Sequence, residues 1–281
     1  MATEGPARAA RGPLGLGRLL PLGDTADGAW LAEPAATSTL RAAAAAAVRE
    51  ARVDALRVSP GGPGEDAAGD LAPPSALPHG PLRIDADFAA TPDAPLPEVG
   101  QRLRTALLRA ADEQLGLRVA TADLHVTDLL DGPEGDGTGT APEGGRRPAH
   151  RHPADDSPPA PADSPHAVAT AEAVIAVPGV ARLAPAPGAA GGSRWADGVS
   201  VTDSGDGEAR PEGGTDPAGR HLRIQIAVTE GSRALDVARA VRQAAVRAAA
   251  WDAAEGSAPV TVTVLVTAID PAIGSGGERV G

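Results

Sequence analysis

Read from its first residue, the chain alternates between stretches with regular apolar spacing and stretches with none. Residues 81–90 (PLRIDADFAA) place Leu82, Ile84, Ala86 and Phe88 on one face and Arg83, Asp85 and Asp87 on the other. That two-residue period predicts a half-buried strand. Residues 221–230 (HLRIQIAVTE) repeat it with Leu222, Ile224, Ile226 and Val228. Both strands open on Leu-Arg-Ile, 140 residues apart.

A helical stretch follows each. The first begins at Pro97, which suits the first turn of a helix, and the second at Leu235. Val99, Leu103, Ala106 and Ala110 match Val237, Val241, Ala244 and Ala248, an i, i+4, i+7, i+11 stripe that predicts a core-facing side. Trp251 extends the second stripe. A further strand closes each unit, at 117–129 with Leu124 and Val126 inward, and at 259–269 with Val260, Val262, Val264 and Val266 inward. Upstream of each first strand lies another helix, at about 34–52 through the run Ala42 to Ala47, and at about 166–177 before Pro178-Gly179. Extended pieces beginning at Val53 and Val180 follow these helices, and 198–202 (GVSVT) adds a short strand to the second unit. The same elements in the same order, with buried faces preserved, predict an internal repeat.

The remaining stretches are rich in Pro, Gly and charge, and cannot bury enough surface to offset the entropy of ordering. The predicted organisation is a disordered tail at 1–17, a first module at 26–131 interrupted by a disordered insertion at 60–80, and a disordered linker at 132–165. A second module follows at 166–270, with an insertion at 185–219, and then a tail at 271–281. The fold class is α+β: two tandem small modules, each a three-to-four-stranded sheet with two helices packed on one face.

Composition narrows the function. Aromatic residues are 1% of the chain, so the core rests on Val, Leu, Ile and Ala. Every one of the 25 basic residues is Arg, which follows from a GC-rich coding bias rather than from phosphate recognition. With no cysteine there are no disulfides, thiolate metal sites or Cys nucleophiles. A net charge of -12 argues against a nucleic-acid partner. No run of about 18 apolar residues exists, and neither a signal peptide nor a membrane-inserting helix is read, so the expected location is cytoplasmic.

The residues offer little to catalysis. His150 and His152 with Asp155 and Asp156 have metal-ligand chemistry but lie in the least foldable stretch. His125 alternates outward on its strand. Gly15-Leu16-Gly17 lacks the third glycine and the preceding strand of a dinucleotide site, and no Gly-x-Ser-x-Gly elbow occurs. Asp85 and Asp87 belong to a solvated strand face. No catalytic residue, cofactor or metal site is therefore assigned. One recurring feature points instead to association. Leu108 and Val246 each stand nearly opposite a core stripe, flanked by Arg104 and Arg109 in the first unit and by Arg242 and Arg247 in the second. An exposed aliphatic rimmed by arginine has the composition of a protein interface.

The order of motifs resembles the bacterial alkaline-shock (envelope stress response) protein family. Ala176-Val177-Pro178-Gly179-Val180-Ala181 resembles its Val-Pro-Gly-Val step, and residues 222–228 its middle strand. Leu96-Pro97-Glu98-Val99 resembles its second helix start, with residues 235–239 the counterpart, and residues 27–33 its opening strand. The first unit has Ala-Arg-Val-Asp where the Val-Pro-Gly-Val step would stand, and the family has one module per chain where this chain would have two. The resemblance implies a cytoplasmic, non-enzymatic protein that associates with itself or related family members, and reaches the membrane through a membrane-anchored partner protein. A small-molecule-binding module or degenerate enzyme, with a pocket between the copies, is the alternative. A nucleic-acid-associated regulator using the helix arginines is a third, opposed by the net charge.

Overall fold

The computed structural model describes residues 17–62, 72–73, 75–130, 165–184, 198–204, 219–250 and 260–272. Trp195, Trp251, the histidines and aspartates of 150–156, and most of the expected linker and insertions lie outside these residues. The architecture is α+β, with four α-helices and nine strands in two sheets among the described residues.

The smaller sheet contains β3 (Ala51–Pro60), β4 (Leu82–Ala90) and β5 (Val119–Leu129), in that order. β4 runs antiparallel to β3 and parallel to β5, with Ile84 opposite Ala122 and Ala86 opposite Leu124. The larger sheet repeats this connectivity with β6 (Val180–Leu183), β7 (Val199–Ser204), β8 (Gly219–Thr229) and β9 (Val260–Asp270). β6 and β7 are antiparallel to β8, and β8 is parallel to β9, with Ile224 opposite Val264 and Ile226 opposite Val266. A parallel pair needs a crossover, and a helix supplies it each time: α2 (Leu96–Ala110) between β4 and β5, and α4 (Ala234–Ala250) between β8 and β9. α1 (Glu33–Ala47) packs on α2 and β3, and α3 (Pro165–Ile175) packs on α4 and β6.

The alternation predicted for 81–90 holds: Leu82, Ile84, Ala86 and Phe88 are buried, while Arg83 is exposed and Asp85 and Asp87 are half-buried. On α2 the buried stripe is Val99, Leu103, Leu107 and Ala110, so Leu107 takes the place expected of Ala106. On α4 the buried set includes Val237, Val241, Ala244 and Ala245, and ends on Ala249 rather than Ala248. Val126, expected inward, is 45% exposed on β5, an edge strand of its sheet.

Two features were not anticipated. Residues before the expected first module form β1 (Leu19–Leu22), which pairs antiparallel with β2 (Ala29–Ala32). β2 was read as the opening strand of the first unit, yet it joins the larger sheet, lying parallel to β9 with Ala29, Trp30 and Leu31 opposite Val264, Leu265 and Val266. The larger sheet therefore has six strands. All eight residues of this β1–β2 arm are buried. The reason is burial on both sides. Leu20, Leu22, Ala29 and Leu31 enter the main core beneath the helices, whereas Leu19, Trp30 and Ala32 meet Leu265 on the opposite face.

The expected insertion at 60–80 is also corrected at its end. Residues 75–80 are ordered against β1: Leu19 donates its N–H to the Ser75 carbonyl and accepts one from Leu77, and the His79 ring meets Trp30 edge to face at 5.2 Å.

The main core is continuous through both halves. At the end of α2 a π-helical turn (Ala111–Leu115) closes on Gly116, whose φ of 80° few side-chain-bearing residues adopt. A Cβ there would lie 2.4 Å from the Leu235 Cβ, so the first half touches the second at a point where only glycine fits. Arg233 reinforces the junction by donating to the Asp112 carbonyl at 2.8 Å and to its carboxylate at 2.9 Å.

Candidate association surface

On α4 the positions 239, 242, 243, 246 and 247 follow helical spacing and share one side of the helix. With Asp27 they line an open hollow of about 580 Å³. Asp27 closes the short 3₁₀ turn Thr25–Asp27 that leads from β1 into β2. Its carboxylate accepts from Arg239 Nε and Nη2 at 2.8 and 2.9 Å, and from the Asp24 backbone N–H at 2.8 Å. Partial burial pushes the Asp27 carboxyl upward. The Arg239 and Asp24 hydrogen bonds and the charges of Arg239 and Arg242 outweigh it, so the net shift is downward and the group stays ionised. Arg242 donates through Nη1 to the Ala26 carbonyl, while its Nε is buried without a hydrogen-bond partner. Arg239 and Arg242 thereby hold the arm onto α4.

Of the six residues predicted for an association surface, Arg242, Val246 and Arg247 are brought together around this hollow. Val246 is 38% exposed and Arg247 is exposed. Leu108 is corrected: it is half-buried and packs against the main core. The stripe of α2 runs through Leu107 rather than Ala106, and the buried Ala111, three residues on, lies about 60° around the helix from Leu108, which places Leu108 at the margin of the buried side. Arg104 turns to β5, donating from Nε to the Ala122 carbonyl at 3.0 Å and from Nη1 to Gln101 at 3.1 Å. Arg109 pairs with Glu113 at 2.7 Å, four residues on. None of these three lines the hollow on α4.

Family models, curated proteins and solved structures were compared with the chain, and none matches.

A second cavity, of about 310 Å³, lies between the halves. α1 contributes Ser38, Thr39 and three alanines, the π-helical turn Gln114 and Leu115, and the second half Glu230, Ser232 and Ile269 among others. Glu230 is the one ionisable group among the residues lining it. No group of three or more potential metal ligands occurs among the described residues, and no helix among them is long and apolar enough to cross a membrane. His125 is exposed on β5, as its alternation predicts.

Asp27, Ala26 and Arg239 escaped the sequence reading. Arg239 stands 212 residues from Asp27, so no local spacing could connect them.

Proposed function

We propose that the chain is a non-enzymatic scaffolding protein, built as two diverged tandem alkaline-shock-like modules and acting by association with other proteins. Its partners are copies of itself, related family members, or a membrane-anchored protein, in a cytoplasmic setting tied to the cell envelope or general stress. The envelope and stress setting rests on the sequence resemblance alone.

The observation that carries this reading is Val246, an exposed aliphatic in a hollow lined by Arg239, Arg242 and Arg247. Three guanidinium groups and one carboxylate line the hollow, with Asp236 3.9 Å from Arg239 beside it, so the lining is cationic on an otherwise acidic protein. An apolar centre with an arginine rim suits a partner surface that is apolar at its middle and acidic at its edge. Sedimentation velocity across a concentration series tests it. Val246→Ser should shift the distribution toward the smallest species, and an unchanged distribution would remove this surface from the proposal. Val246 is the residue for this test, since Leu108 packs on the core and its loss would also perturb folding.

The cleft between the halves supports a second reading, as a small-molecule-binding module. Its lining is mostly small and apolar, with hydroxyl and amide groups from both halves. A single ionisable group leaves little for acid–base chemistry, so this reading is binding rather than catalysis.

A further inference from the structure

The two sheets share connectivity but end differently at corresponding edges. β9 and β5 occupy the same place, each parallel to the strand before the crossover helix. Along β9 the outer edge is filled by β2, and the Val264 N–H donates to the Gly28 carbonyl at 2.9 Å. Along β5, among the described residues, no strand pairs with the outer edge. Its Val126 and Leu129 are 45% and 52% exposed.

The crossover helices carry the same asymmetry. Arg242 of α4 donates to the Ala26 carbonyl, just ahead of the docked strand. Arg104 holds the matching place on α2 and has no docked strand beside it. It donates instead to the carbonyl of Ala122, the residue in the place of Val264. Both polar backbone groups of a strand residue point to the same side, so the Ala122 N–H and C=O face the open edge, as those of Val264 face β2. Among the described residues there are two such edges and one arm. An arm from a second copy is spent on that copy's own β9, where all eight of its strand residues are buried.

We infer that the outer edge of β5, with Arg104 above it, receives a parallel strand from a different protein chain. This deepens the association reading and rests on it. Charge specifies the strand. Where Trp30 lies beside Leu265 on β9, the corresponding residue of β5 is Asp123, next to Asp85. Asp87 and His125 continue that face; Arg83, which pairs with both Asp85 and Asp123, and Arg57, opposite Asp85 on β3, are the cations on it, so three carboxylates stand against two guanidinium groups. The incoming strand therefore has apolar residues on the helix side, as Ala29 and Leu31 do, and a basic residue between them. On arrival, Arg104 exchanges the Ala122 carbonyl for one in the turn preceding the strand, as Arg242 holds Ala26. Main-chain pairing supplies the affinity and the alternating side chains the selectivity.

The test titrates isotopically labelled full-length protein with a synthetic peptide of residues 17–33 carrying Trp30→Arg, read by amide chemical shifts. Saturable shifts at residues 121–126 are expected, with several-fold tighter binding than the unaltered peptide. A Trp30→Pro peptide, lacking the N–H that faces the edge, should lose binding. In the protein, Arg104→Gln should weaken binding about fivefold, the loss of one hydrogen bond. No shifts, or shifts at residues 262–266 showing exchange with the resident arm, would overturn the inference. Sedimentation of the Val246→Ser protein reads the α4 surface independently, so failure of the edge and failure of the wider association reading are separable.

Discussion

Leu31→Ala tests whether the arm is part of the common core or merely laid against it. Leu31 is fully buried and belongs to the cluster that runs beneath the helices of both halves. The substitution removes three carbons, worth about 0.8 kcal/mol each in transfer, or about 2.4 kcal/mol together. The cavity adds to this, because β2 is held between β1 and β9 and can collapse only partly, which brings the expected loss to about 3–5 kcal/mol. Against a typical total of about 5–15 kcal/mol, that is a large fraction. Urea unfolding followed by far-ultraviolet circular dichroism measures it as a lower midpoint at unchanged slope. If the arm were an independent strap, its release would precede the main transition and leave the midpoint in place. A loss below about 1 kcal/mol would refute the continuous core.

Three further outcomes follow from the arm and the junction. Removing Asp27 and Arg239 singly and together should reveal a coupling of about 1 kcal/mol or less, as expected for a partly solvated pair, in a double-mutant cycle by urea unfolding. Because the Asp27 carboxyl is held below its unfolded value of about 3.9, its contribution is complete above that pH and is lost as pH falls through the lower folded value. Stability should thus decline more steeply below about pH 4 in the parent than in Asp27→Asn. Gly116→Ala should cost about 2–4 kcal/mol, combining a left-handed backbone with a methyl placed 2.4 Å from the Leu235 Cβ; a thermal midpoint unchanged from the parent would contradict that geometry.

Much of the fold was legible because its signals are local. The alternation of Leu82, Ile84, Ala86 and Phe88 fixes a strand and its buried side within nine residues. The turn at Pro178-Gly179 likewise announces itself, and Gly179, at φ 90°, does lead α3 into β6. Helix faces were harder. Ala106 and Leu107 differ by 100° and are both apolar, so choosing the wrong one turned Leu108 outward on paper. Strand partnership was the part out of reach. Ala29–Ala32 reads as a strand, but nothing local says that it lies beside Val264 rather than Ala122. The choice depends on which edge buries both Leu31 and Trp30, and Leu265 offers Trp30 an apolar neighbour where Asp123 would not. The site divided in the same way: Arg242, Val246 and Arg247 come from one helix and were found together, whereas Asp27 enters from the far end of the chain.

The pairing of β2 with β9 also sets a schedule for synthesis. The arm is synthesised ahead of its partner strand, which begins at Val260 and is made more than two hundred residues later. At roughly 5–20 residues per second, a leucine-rich strand pair waits on the order of ten to fifty seconds without its template. During that interval the nascent chain exposes a sticky segment that only the later strand can shelter. Chaperone dependence should therefore track the arrival of the last strand rather than the folding of the first sheet.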